Sequence, residues 1–191
     1  MRHATGVFFS SLVLSFLAGL ILFADTAPGA EKISPGTTLP AFTLSAPDDP
    51  ETKQYLELKN LKSFTLSQIP AKFLLIEFFS LYCPICHKQA PAANKIYKVI
   101  RQDPALNKDM KMIGIGTGNN QREVEAFKTN LRVPFPLFTD IDFKIHKKMG
   151  EPRTPFTNLT TNKGKVLLMH SGIVEDTDEF IGKIKKFHEQ N

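Results

Sequence analysis

Cysteine is scarce in this chain and tryptophan is absent: the 191 residues include two cysteines, Cys83 and Cys86, and no tryptophan. Two cysteines exclude a small fold held together by several disulfides, and they are too few for a zinc site built from cysteine. The histidines His146, His170 and His188 show no metal-ligand spacing that would complete such a site. A bridge between residues so close in sequence closes a very short loop, where the gain in stability is smallest. The pair therefore favours a reacting disulfide over a structural one.

The sequence also lacks internal repeats, long low-complexity tracts and a stripe of alternating basic and aromatic residues. These absences exclude a repeat protein and argue against a nucleic-acid partner. The net charge is +5, but the lysines are spread along the chain, so we interpret them as a solvated surface. Hydrophobic residues make up 42% of the chain, as expected for a globular domain with a sizeable core.

The longest apolar run lies at the N-terminus, where residues 7–24 are almost free of charge and follow Arg2 and His3. Small residues come next, which is typical of an export signal. The run is also close to the ~20 residues that a membrane-spanning helix needs, so an uncleaved anchor is the alternative. No cysteine follows the run, which excludes a lipoprotein anchor. We predict residues 1–30 as a signal peptide or N-terminal membrane anchor. Residues 31–191 are then one exported domain, located in the periplasm and, if the signal is retained, tethered by residues 7–24.

Strand and helix patterns alternate along the exported part. Before residue 73 we predict a short strand near 41–44, another at 55–58 and a helical turn at 64–69. From there on we predict strands at 73–79, 110–116, 156–159 and 165–170, an extended segment at 133–138, and helices from the cysteines to 102, at 121–131, at 142–149 and at 176–190. This order predicts an α/β fold whose parallel sheet is covered on both faces and gains an antiparallel edge from the late hairpin.

The two cysteines open a predicted helix directly after an apolar strand. Cys83, at the helix N-terminus, is the better nucleophile because that position stabilises a thiolate. A C-x-x-C pair beside a βαβ pattern predicts dithiol–disulfide exchange. With His87, the same run also matches the C-x-x-C-H pattern that attaches c-type haem, and zinc is a third alternative.

Glu77 is a carboxylate inside an otherwise apolar strand. Burial raises the pKa of such a group, and it is costly unless the group is paired or protonated. Because the strand ends beside the cysteines, we predict that Glu77 lies beneath them and takes the proton from Cys86 during catalysis. The alternative is a buried acid that a lysine or a backbone group satisfies.

Two further segments carry candidate site residues. A proline at a strand start can hold a cis bond, so Thr154–Pro155 is predicted to expose the Thr154 backbone to an extended substrate. His87 is a candidate for lowering a thiol pKa, with plain solvent exposure as the alternative.

These residues resemble the active-site motifs of the thioredoxin superfamily. Glu77 stands six residues before the first cysteine, where the family has its acid, and Tyr82 takes the place of the usual tryptophan. Pro91 matches the proline inside the active-site helix, and Thr154–Pro155 matches the cis-proline loop. The resemblance covers the chain from about Ile33 to the C-terminus.

Within the superfamily, the chain is most similar to the exported TlpA-like branch with its CcmG/ResA-type members. The resemblance implies a thioredoxin fold, that is, a central mixed sheet flanked by helices, with an N-terminal extension and a βα insertion before Pro155. It implies that Cys83 exchanges with the substrate sulfur and that Cys86 resolves the mixed disulfide. The redox-active disulfide then takes the place of any cofactor or metal. By the same resemblance the substrate contacts are Tyr82, Pro84, Ile85, Thr154 and Pro155.

The function that the resemblance implies is an exported, monomeric thiol–disulfide oxidoreductase. Such an enzyme reduces or exchanges disulfides in periplasmic proteins, including apocytochrome c during cytochrome c maturation, and draws electrons from a membrane thiol reductant of DsbD/CcdA type. The direction of electron flow stays open. One alternative is a peroxiredoxin-like thiol peroxidase with antioxidant activity, in which Arg153 serves as the family arginine. Ile76 and Ser80 stand where that family has proline and threonine; the serine is tolerable, but the missing proline counts against this alternative. The other alternative is a C-x-x-C-H haem protein.

Overall fold

The computed structural model describes residues 1, 3, 33–59 and 61–190. The predicted signal or anchor at residues 1–30 therefore lies outside the described residues, apart from residues 1 and 3. Within the described part, no helix is both long enough and apolar enough to cross a bilayer.

The described residues form seven strands and six α-helices. The elements are β1 (Leu44–Ser45), α1 (Pro50–Leu56), β2 (Ser63–Phe64), a 3₁₀ turn (Leu66–Gln68), β3 (Phe73–Phe79), α2 (Pro84–Gln102), α3 (Pro104–Asp109), β4 (Met110–Thr117), α4 (Gln121–Asn130), β5 (Leu137–Asp140), α5 (Lys144–Lys148), β6 (Phe156–Thr161), β7 (Val166–Ser171) and α6 (Thr177–Glu189). From β3 onward strands and helices alternate as predicted, with one additional helix, α3.

Five strands form the main sheet in the order β5-β4-β3-β6-β7, and β1 pairs with β2 in a separate two-stranded sheet. Strand β3 lies at the centre, parallel to β4 and antiparallel to β6. Strands β6 and β7 form the antiparallel edge. The segment between α2 and Pro155 includes α4 and β5, and β5 extends the parallel part of the sheet. The predicted fold, a central mixed sheet flanked by helices, is confirmed.

All seven residues of β3 are buried, because layers of side chains cover both faces of the sheet. Leu75 and Phe79 on one face join a core built with α2, α4 and α6. Leu74 and Ile76 on the other face join a second core, which the N-terminal extension supplies. Because successive side chains of a strand point to opposite faces of the sheet, Glu77 lies on the same face as Leu75 and Phe79.

The N-terminal extension enters the fold beside the turn between β6 and β7. Thr38 forms a bridge with Lys165. The backbone N–H of Val166 donates to Thr37 O at 2.8 Å, and Gly36 N–H donates to Val166 O at 2.9 Å. This segment therefore pairs with the beginning of β7.

The predicted strand at residues 55–58 is wrong, because its first half belongs to helix α1. The Asp49 carboxylate accepts hydrogen bonds from the N–H groups of Glu51 and Thr52, and Pro50 opens the helix. Glu57 ends it in a left-handed conformation. A helix of two turns leaves too short a pattern to distinguish a helical from a strand period.

Two smaller differences lie between α2 and α5. Helix α3 was not predicted; the Asp103 carboxylate begins it by accepting from the N–H groups of Ala105 and Leu106. The extended segment at 133–138 contributes only its last two residues to β5.

Candidate active site

The active-site segment begins where β3 ends. Cys83 caps helix α2 in an extended conformation, and its sulfur accepts a hydrogen bond from the backbone N–H of Cys86 at 3.2 Å. Pro84 follows at the first helical position, where its missing N–H is not needed. The sulfur thus takes the place of the usual capping oxygen at the positive end of the helix.

Cys83 is partly exposed, and its thiol contacts the Thr154 carbonyl oxygen at 3.4 Å. Burial raises the pKa of this thiol, but hydrogen bonds outweigh that effect and hold the pKa below its ordinary value. The strongest of them comes from the Cys86 thiol, and the Thr154 side chain and nearby backbone N–H groups add to it. A thiolate at this position is a ready nucleophile.

Cys86 lies one turn further along the helix and is 1% exposed. Burial, followed by the hydrogen bond with Cys83, raises the pKa of this thiol to about 12. At neutral pH it is therefore protonated, and it needs a base before it can attack another sulfur.

Glu77 is buried on the β3 face that packs against α2. Burial raises the pKa of its carboxyl group to about 7, although hydrogen bonds from Thr157 and Gln89 oppose this shift. The Thr157 hydroxyl donates to Glu77 Oε2 at 2.5 Å. Gln89 Nε2 has no hydrogen bond of normal geometry among the described residues. The partner of the Glu77 carboxyl group is therefore the Thr157 hydroxyl and not a lysine or a backbone group. A pKa near 7 suits a group that exchanges protons at neutral pH.

The Thr154–Pro155 peptide bond is cis, as predicted. Pro155 O accepts a hydrogen bond from Gly172 N–H at 2.9 Å, which ties this loop to the end of β7. The loop lies directly against Cys83 through the Thr154 carbonyl.

Of the predicted substrate-contact residues, Tyr82, Pro84 and Ile85 adjoin Cys83 along the chain and Thr154 contacts its sulfur, whereas Pro155 is buried. Tyr82 is 69% exposed and Ile85 42% exposed, on either side of the nucleophile. Pro84 is exposed as well. The Tyr82 hydroxyl donates to the Glu123 carboxylate at the start of α4, so its ring has a defined position.

His87 is exposed, and its Nε2 donates to the Leu81 carbonyl oxygen at 2.7 Å. Its ring packs edge-on against Phe127. These contacts connect His87 to the loop before Cys83, and no described contact joins it to a sulfur atom.

The site does not fit covalently attached haem. The histidine of the pattern, His87, is held by the Leu81 carbonyl oxygen and packs against the Phe127 ring. The second thioether position, Cys86, is buried. Among the described residues, no group of three or more His, Cys, Asp or Glu side chains could hold a metal ion.

Sequence reasoning missed Asn119, which helps to hold the active-site loop. Asn119 is fully buried, and its Oδ1 accepts the Leu81 N–H at 2.8 Å. The sequence showed it only as part of a turn after β4, and a single buried amide has no periodic signal.

An open groove of about 600 Å³ lies beside Cys83. Its lining includes Ser80 and Tyr82 from the loop before Cys83, and Phe143 and His146 from the β5–α5 region. Arg153 and Thr154 from the cis-proline loop also line it. The nucleophile therefore lines a groove of the size that ligands occupy in other proteins, about 300–1,000 Å³.

A strand, a C-x-x-C helix start and a cis-proline loop, arranged on this sheet, define a thioredoxin-fold thiol protein. The chain belongs to the Redoxin family, whose profile matches residues 34–183. The predicted membership in the thioredoxin superfamily is thereby confirmed.

Relatives and solved structures agree with this class. The thiol-disulfide oxidoreductase ResA of Bacillus subtilis (strain 168) is 24% identical over 166 residues, which cover 87% of this chain and 83% of ResA. The thioredoxin domain of a thiol-disulfide oxidoreductase from Bacteroides vulgatus shares the fold with a TM-score of 0.61 at 17% identity, covering 82% of this chain and 99% of that chain. These similarities bear out the predicted enzyme class, a thiol–disulfide oxidoreductase.

One further solved structure shares the fold. AhpC of Mycobacterium tuberculosis aligns with a TM-score of 0.57 at 14% identity, over 82% of this chain and 98% of that chain. Similarity at this level concerns the fold alone.

Proposed function

We propose that this protein is an exported thiol–disulfide oxidoreductase that reduces disulfides in periplasmic proteins, including apocytochrome c during cytochrome c maturation. The proposal rests on the difference in exposure and pKa between the two thiols. Cys83 is accessible with a lowered pKa, whereas Cys86 is buried with a pKa of about 12. One sulfur suits attack on an outside partner and the other suits attack within the protein.

In the first step the Cys83 thiolate attacks one sulfur of the substrate disulfide. A bond forms between Cys83 and the substrate as the substrate's own S–S bond breaks, and the departing thiolate takes a proton from water. The groove beside Cys83 and the backbone of Thr154 hold the substrate segment during this step.

In the second step Cys86 resolves the mixed disulfide. Glu77 in its ionised form takes the Cys86 proton, and the resulting thiolate attacks the Cys83 sulfur. The Cys83–Cys86 bond forms and the second substrate thiolate leaves. The substrate has then gained two electrons and the enzyme has lost two. A membrane dithiol of DsbD/CcdA type supplies the electrons that return the pair to the reduced state.

The first test is the reduction potential of the Cys83–Cys86 pair in glutathione buffers. A value near the −270 mV of thioredoxin supports a reductant, and a value near the −120 mV of DsbA contradicts the proposed direction. Cys86→Ser should accumulate a mixed disulfide with its substrate, visible by mass spectrometry. Cys83→Ser should abolish exchange, and unchanged exchange in that variant would overturn the proposal.

Glu77→Gln tests the role of the acid in the second step. In the wild type, resolution of a preformed mixed disulfide should quicken as pH rises through about 7, because Glu77 becomes a base. In Glu77→Gln this rise should disappear while attack by Cys83 stays near its normal rate. An unaltered pH profile would remove Glu77 from the mechanism.

A thiol peroxidase is the second candidate, because Ser80 and Arg153 line the same groove as Cys83. Ile76 occupies the position where the peroxidase pattern has proline, which weighs against it. Stopped-flow oxidation of Cys83 by hydrogen peroxide decides between the two: a rate no faster than that of free cysteine eliminates the peroxidase.

A further inference from the structure

Large apolar side chains are exposed in one region of the described domain. From residue 33 onward, the exposed large hydrophobic residues are Tyr82, Ile85, Ile141 and Phe143. Two of them flank Cys83, and the other two belong to the loop between β5 and α5. Tyr82 and Phe143 line the groove together with Cys83. Exposed apolar groups that cluster beside a nucleophile indicate an interaction site.

Phe143 is fixed in place, although it is 44% exposed. Its φ of 56° is in the left-handed region, which is unusual for a bulky residue and often marks a functional position. The ring lies on Gly118, so closely that a Cβ at Gly118 would be 2.3 Å from Phe143 Cζ. Asp140 fixes the following turn by accepting from the N–H groups of Ile145 and His146.

The loop that carries Phe143 is also joined to the cis-proline segment. His146 Nε2 donates to the Pro152 carbonyl oxygen at 2.9 Å. Helix α5 and the residues before Thr154 are therefore held together where they line the groove. Tyr82, which also lines the groove, is held separately by its hydrogen bond to Glu123.

We infer that Phe143 is a specificity-determining residue that selects substrates with a bulky apolar side chain next to the disulfide cysteine. The inference rests on the proposed function. Because Cys83 lines the groove, the molecule that occupies the groove is the substrate segment around the disulfide. A side chain adjacent to that cysteine enters the groove that Tyr82 and Phe143 line, where contact with their aromatic rings removes its apolar surface from water.

The test compares three disulfides in steady-state assays on the full chain. Two are peptides that differ only in having Phe or Ser after the disulfide cysteine, and the third is oxidised glutathione. The wild type should reduce the Phe peptide with a kcat/KM roughly tenfold above that of the Ser peptide. Phe143→Ala should abolish this preference, and Phe143→Leu should retain most of it.

Ile141→Ala is the matched control, since Ile141 is exposed in the same loop but lies outside the groove lining. It should keep the wild-type preference. The inference is overturned if Phe143→Ala keeps the preference, or if it loses as much activity on glutathione disulfide as on the Phe peptide, which would indicate a glutathione site. If the wild type reduces none of the three disulfides, the proposed function fails first.

Discussion

Cys83 and Cys86 are chemically unequal because their surroundings differ. Cys83 accepts hydrogen bonds at the start of α2, while Cys86 is enclosed by the core. The same residue type thus supplies an accessible thiol of lowered pKa and a buried thiol of raised pKa within one helical turn.

The Cys86 thiol is the strongest of the groups that lower the pKa of Cys83. Replacing it by Cys86→Ala should therefore raise the pKa of Cys83, because a hydrogen-bond donor to the thiolate is lost. The measurement is the pH dependence of iodoacetamide alkylation. Cys86→Ser keeps a donor and should shift the pKa less, so equal shifts in the two variants would contradict this explanation.

Glu77 should lower the stability of the fold at alkaline pH. Its pKa is about 7 in the folded protein, against about 4.3 in an unfolded chain. The protonated form is favoured by folding, so its contribution is complete below about pH 4.3 and is lost as pH rises through 7. Urea titration should find Glu77→Gln more stable than the wild type at pH 8, on the order of 3 kcal/mol. The two should be nearly equal at pH 4; a constant difference across pH would refute the linkage.

Among the elements, the β3–α2 loop is notable because a side chain from the β4–α4 loop and a side chain from α2 hold one residue of it. Asn119 accepts the Leu81 N–H, and His87 donates to the Leu81 carbonyl. The backbone just before Cys83 is thereby fixed on both sides.

Asn119→Ala should destabilise the protein by about 1–3 kcal/mol, because the Leu81 N–H loses its partner. The same substitution should also slow the alkylation of Cys83, since the loop that positions this thiol loses a hydrogen bond. Thermal unfolding and alkylation rates measure the two effects. Tyr82→Phe, which removes the solvent-exposed hydrogen bond to Glu123, is the control and should destabilise the protein much less.

The elements of the central unit could be predicted because their signals are local. Strand β3 is a continuous apolar run between clear boundaries, and the bounds at 73–79 agree with the structure. Helix α2 ends at Gln102, directly before Asp103 and Pro104, where the sequence predicted its end. The signals fail for short elements such as α1, where a capping side chain decides the conformation.

The site could be predicted only where a motif marks it. Cys83, Glu77 and the cis bond at Pro155 follow from spacing and residue type. Asn119 and Phe143 act through tertiary contacts with Leu81 and Gly118, and neither contact leaves a pattern along the chain.

For the molecule as a whole, the central sheet separates two cores of different origin. The core beneath the N-terminal extension includes Phe64, which is fully buried and packs edge-on against Phe138. The extension therefore belongs to the folding unit and covers one face of the sheet.

Phe64→Ala should lower the free energy of unfolding by about 3–5 kcal/mol, because it leaves a cavity in that core. Unfolding should remain a single transition by circular dichroism, since both cores share β3. Ile141→Ala, at a site that is 55% exposed, should change stability by less than about 0.5 kcal/mol. Separate transitions in Phe64→Ala would mean that the extension unfolds independently.

The pairing of residues 36–38 with the start of β7 also gives the domain an orientation. That start lies next to Thr161, which is opposite Phe73 at the beginning of β3, whereas Cys83 follows the end of β3. The seven residues of β3, at a rise of about 3.3 Å per residue, separate the two ends by about 20 Å. Residues 36–38 therefore lie at the end of the sheet opposite to the one that Cys83 follows, so a partner that docks at this sulfur approaches the domain at the far end from them.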